Sequence, residues 1–87
     1  MNYAKNLTRT LPHGLEICYF TNSGSESNDL ALRIACSHSN SRESIVLSSA
    51  YHGHTASLID ISPYKFLGAG GKGKPHFVHV IPVPDKF

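Results

Sequence analysis

An apolar run passes into Asn22-Ser23-Gly24-Ser25 and from there straight into a helix start at Glu26. Residues this small let a ligand approach the main chain. The first turn of a helix leaves its N–H groups unpaired, with the positive end of the dipole facing the turn. The chemistry such a turn could perform is to hold an anion, a phosphate above all, through backbone and without a lysine. Gly24 and Ser25 are the candidate contacts. The commoner meaning of the same residues is a capped helix with nothing bound, in which Asn22, Ser23 or Ser25 serves as the cap. A second polar cluster, Tyr51-His52-Gly53-His54-Thr55, follows the next apolar run.

The elements that must position these clusters read as α/β. Residues 15–21 form a near-continuous apolar and aromatic run of strand length, which predicts a strand buried on both faces, as in a parallel sheet. Residues 26–37 place Leu30 and Ile34, and Ala31 and Ala35, at spacings of four, the stripe of an amphipathic helix, with Asp29 and Arg33 able to pair on its surface. Residues 44–50 predict a second strand, so that 15–50 forms a strand-helix-strand unit with a right-handed parallel crossover. Ligands of such sheets lie beyond the carboxyl ends of the strands. Both strands end where a polar cluster begins, and as neighbours they would bring the two turns into one crevice. Residues 56–67 suggest a short helix broken at Pro63, 68–75 a glycine-rich loop, and 76–82 a third strand of alternating pattern. At the start, Tyr3, Leu7 and Leu11 recur at helical spacing ahead of Pro12, an amphipathic helix that Pro12 would end.

Composition narrows the partners. At 87 residues the chain is at most one small domain, with three strands and no tryptophan, and its final apolar strand has nothing to cover it. The expectation is a single incomplete domain spanning 1–87, a piece of a larger α/β protein. The net charge of +2 is spread along the chain without a basic stripe, which argues against nucleic acid. Cys18 and Cys36 lack metal or redox spacing and read as small buried hydrophobes of a reducing compartment. With no apolar run of spanning length and no secretory pattern, the expectation is an intracellular protein, mitochondrial or cytoplasmic, without membrane partners.

Several apparent motifs fail on context. Gly68-Ala69-Gly70-Gly71-Lys72-Gly73 spells GxGxxG, but a strand follows it where a dinucleotide site needs a helix, and Pro75 stands where a P-loop needs Ser or Thr. His52 and His54 are two apart and His76 and His79 three apart, so neither pair has the helical spacing of metal ligands. No G-x-S-x-G elbow supports a serine nucleophile.

Taken together, Asn22-Ser23-Gly24-Ser25-Glu26 with Asn28-Asp29-Leu30-Ala31-Leu32-Arg33, then Ala50-Tyr51-His52-Gly53-His54-Thr55, then Ile61-Ser62-Pro63-Tyr64-Lys65-Phe66, resemble the class III pyridoxal-phosphate aminotransferase family. The last segment, with His79-Val80 and the stretch from Pro82 to Asp85, is most similar to the alanine-glyoxylate aminotransferase 2-like branch, which includes ethanolamine-phosphate and phosphohydroxylysine phospho-lyases. The resemblance implies a fragment of a fold type I large domain, a three-layer α/β/α arrangement around a mostly parallel sheet. It implies pyridoxal 5'-phosphate as cofactor, an amine or phosphorylated amine as substrate, and a homodimer. By position, Gly24 and Ser25 fall where the family binds the cofactor phosphate, Tyr51 where a ring stacks on the pyridine, and His52 is the next residue of that pocket.

The sequence departs from the family at Ser27, where Ala is usual, a small-for-small change in a first helical turn. More consequential, the family's catalytic lysine and its pyridine-pairing aspartate would both lie beyond Phe87. None of Lys5, Lys65, Lys72, Lys74 or Lys86 sits in a matching context, so the resemblance implies no catalytic residue in this chain and no activity for the chain alone. The rival expectation is a non-catalytic truncated product that keeps at most a phosphate-binding turn.

Overall fold

The computed structural model describes residues 2–85. The amphipathic start folds as α1 (Asn2–Arg9), with Met1 outside the described residues. Thr8 closes α1 by donating its hydroxyl to the Ala4 carbonyl, and Gly14, at φ +95°, turns the chain away.

The next segment differs from expectation. Residues 15–21 run without helix and without ladder pairing, and Ile17, Tyr19 and Phe20 are largely exposed. The predicted strand-helix-strand unit over 15–50 is therefore absent, and its first strand with it. An apolar run of this kind needs a neighbour to supply its main-chain hydrogen bonds and a layer to cover its side chains. No described strand does either.

Helix α2 (Gly24–Ser39) covers the predicted 26–37 and extends two residues in each direction. Of the three candidate caps, Ser23 takes the position, its side chain accepting the Glu26 N–H, and Asn40 in the left-handed region (φ 55°) ends the helix. Strand β1 (Ser44–Leu47) is the predicted second strand in shortened form. Residues 56–67 break at Pro63 as expected, into α3 (Ala56–Asp60) and α4 (Pro63–Phe66). Proline without an N–H is tolerated only in a first helical turn, where Pro63 sits. Strand β2 (Val78–Ile81) follows the glycine-rich loop.

The two strands pair in parallel, Ser44 with Val78 through Leu47 with Ile81, so the crossover runs through α3 and α4. Val46 and Val78 bury one face of this sheet against Leu58, Ile61 and Phe66, and Leu32 of α2 packs at the margin. The opposite face carries Ile45 and Ile81, both exposed. This small α/β core holds α2 beside α3, which is what brings the two polar turns together.

Candidate functional site: two turns joined at the start of α2

The first turn is built by local capping. Ser23 Oγ accepts the Glu26 N–H at 3.1 Å, and the Glu26 carboxylate reaches back to the Asn22 N–H at 3.1 Å. These bonds leave the N–H groups of Gly24 and Ser25 without a hydrogen-bond partner among the described residues. A Cβ at Gly24 would meet nothing within 4 Å, so open space lies beside those amides. The arrangement can accept an anion at its main chain.

The second turn runs from β1 to α3, and Tyr51, His52, Gly53 and His54 lie on it. It docks on the start of α2 through three bonds to side chains of Ser25, Asn28 and Asp29. His54 N–H donates to Ser25 Oγ at 3.0 Å, Asn28 Nδ2 donates to the His52 carbonyl at 2.7 Å, and Thr55 Oγ1 donates to Asp29 Oδ1 at 3.0 Å. Gly53 makes the close approach possible. A Cβ there would stand 2.3 Å from Leu58 Cδ1 and 3.1 Å from Ser25 Cα, and its φ of +144° suits only glycine. The two turns are thus joined, although the first strand expected to lead into them does not form; side chains of α2, and not a shared sheet, hold them together.

Tyr51 is half-exposed and meets Tyr64 edge-on at 6.4 Å between ring centroids. Lys65 Nζ lies 5.8 Å from the Tyr51 ring centre. The ring thus keeps exposed surface, with a cation placed over it. His52 is held by its main chain, while its Nε2 is buried with no hydrogen-bond partner among the described residues. A buried imidazole nitrogen in that state is a polar group awaiting a partner. A groove beneath α2, lined by Leu32, Cys36, Arg42, Ile61 and Phe77, and another bordered by His54, Lys65 and Lys72, are lined by none of Gly24, Ser25, Tyr51 and His52. The four predicted residues lie on the joined turns outside these grooves, Gly24 and Tyr51 exposed, Ser25 and His52 partly buried.

No family model matches the chain. Over 84 residues, 97% of its length, it is 50% identical to the alanine-glyoxylate aminotransferase 2-like protein of Drosophila melanogaster. Over a stretch of the same length it is 46% identical to ethanolamine-phosphate phospho-lyase homolog 1 of Caenorhabditis elegans. A solved phospholyase from Arthrobacter, in complex with phosphoethanolamine, has the same fold over 97% of this chain, with a TM-score of 0.84 and 37% identity. The chain is homologous to a segment of each of these proteins. It spans 17% of the Drosophila relative, 18% of the worm relative and 19% of the solved phospholyase. Human mitochondrial alanine-glyoxylate aminotransferase 2 is more distant, 40% identical over 74 residues. Among the described residues no helix is long and apolar enough to cross a membrane.

Within this homologous segment, sequence reasoning singles out Gly24, Ser25, Tyr51 and His52 and misses the residues that join them. Asn28 lies inside a motif of the resemblance without a role of its own there. Ser62, likewise without a role of its own in the motif, stands at the N-cap position of α4, where it makes no side-chain cap bond and instead accepts the His52 N–H. Nothing in a linear pattern signals a bond between positions 10 or 24 residues apart.

Proposed function

We propose that the joined turns seat pyridoxal 5'-phosphate, and that the chain is a cofactor-binding part of the large domain of a class III aminotransferase-like enzyme, with a three-layer α/β/α arrangement in the whole protein. The observation that carries this reading is the juxtaposition itself. Unpaired amides at Gly24 and Ser25, with open space at the glycine, stand across two hydrogen-bonded turns from an exposed aromatic ring and a buried, unpartnered imidazole nitrogen. A phosphate suits the first and a flat heterocycle the second.

When bound, the cofactor supplies an electron sink for a substrate amine. The chain's own residues bind and orient. The Gly24 and Ser25 amides, reinforced by the α2 dipole, hold the phosphate. Tyr51 covers a ring face. His52 Nε2 gains the hydrogen bond it otherwise lacks. In a complete homodimeric enzyme the reaction would be transamination or elimination of phosphate from a phosphorylated amine. The names of the worm relative and of the solved Arthrobacter complex support the second.

Titration of the protein with pyridoxal 5'-phosphate and with inorganic phosphate tests the reading. Gly24→Val puts a branched side chain into the open space and should weaken both ligands. Tyr51→Phe should be mild, whereas Tyr51→Ala should lose about 1 to 2 kcal/mol of binding to pyridoxal 5'-phosphate alone, the scale of aromatic stacking and lost burial. Unchanged affinities in Gly24→Val would rule out this seat.

A further inference from the structure

We propose that Ser62 and Asn28 are positioning residues for the ligand site, acting through the main chain on either side of Tyr51 and His52; this rests on the joined turns being the cofactor seat. Three successive peptide planes of that turn are tied down, two by α4 and its N-cap residue and one by α2. The Ala50 carbonyl accepts the Tyr64 N–H at 3.1 Å, which fixes the plane before Tyr51. The His52 N–H donates to Ser62 Oγ at 3.0 Å, which fixes the plane between Tyr51 and His52. The His52 carbonyl accepts Asn28 Nδ2 at 2.7 Å, which fixes the plane after His52. Because the chain has only two soft dihedrals per residue, holding the planes on both sides of a residue sets its backbone and the direction of its side chain. Tyr51 and His52 are both held in this way, and Ser62 holds the plane they share.

Ser62 suits that role. It is polar yet fully buried, its hydroxyl donates to the Leu58 carbonyl at 2.6 Å, and its oxygen accepts from His52. The hydroxyl thus both donates and accepts, so it is locked in one orientation. It ties the ligand-facing turn to the end of α3, inside the core. Asn28 ties the same turn to α2 from the exposed side. The orientation of the aromatic ring relative to the phosphate seat is thus set by two residues that would themselves touch neither.

Comparing two ligands separates positioning from mere support. Inorganic phosphate needs only the start of α2, whereas pyridoxal 5'-phosphate also needs the ring surface. Ser62→Ala and Asn28→Ala should each weaken pyridoxal 5'-phosphate about five- to tenfold, the effect of one lost hydrogen bond, and leave the phosphate dissociation constant near its wild-type value. Asn28→Leu, of similar size but uncharged and without a donor, should behave like Asn28→Ala. Because Asn28 is exposed, its variants decide the matter if Ser62→Ala does not fold. Variants that bind pyridoxal 5'-phosphate as tightly as wild type would overturn the inference, as would variants that lose both ligands in parallel. A wild-type protein that binds neither ligand would instead sink the cofactor reading, and this inference with it.

Discussion

At the scale of single residues, the two glycines of the site face opposite constraints. Gly24 sits in the first turn of α2 with free space at its missing Cβ, whereas Gly53 is pressed against Leu58 and Ser25 at a positive φ. Leu58 is fully buried and cannot swing aside. Gly53→Ala should therefore cost about 3 kcal/mol, combining overpacking with a strained backbone, and should release His54 from Ser25. Gly24→Ala should cost nothing in stability and only crowd the ligand seat. Urea unfolding midpoints of the two variants, with amide exchange at His54, check both; equal midpoints would show that the turns do not press together at Gly53. Glycine at 53 is visible in the sequence. Its role is not, because a close approach is a property of two segments.

The elements show the same division between local and distant information. Helix α2 and the break between α3 and α4 are legible in the sequence, because apolar spacing and a proline in a first helical turn act within a few residues. The strand expected over 15–21 does not form, because an apolar run reports that a segment suits burial and not which partner supplies the ladder. β1 pairs instead with β2, more than thirty positions along the chain, in a register from Ser44 with Val78. Three side chains could cap α2, and the structure divides them: Ser23 caps, Asn22 bonds Glu26, and Ser25 accepts from the second turn. Ser23→Ala should thus lower stability by about 1 kcal/mol, as lost caps do, and shorten α2 at its start. Ser25→Ala should keep the helix and loosen the second turn. Circular dichroism during urea unfolding separates the two; a cap effect at Ser25 would contradict the assignment.

For the whole molecule, the dimensions are those of a segment with uncovered faces. Its radius of gyration is 15.5 Å, where a compact domain of this length would have about 12 Å. Among the described residues, five apolar side chains form the buried core, while Ile17 is 80% and Tyr19 69% exposed. The Arthrobacter phospholyase adopts this fold in a stretch amounting to 19% of its chain, so the open shape is one that a larger protein accommodates. In isolation such surfaces favour association, since exposed apolar patches are covered by whatever meets them. The 87-residue chain should accordingly self-associate, its sedimentation coefficient rising with concentration. Ile17→Asp combined with Tyr19→Asp should suppress that rise without moving the unfolding midpoint, because neither side chain contributes to the core. If the double variant associates as strongly as wild type, the exposed face of the sheet at Ile45 and Ile81, and not residues 15–21, is the dominant uncovered surface.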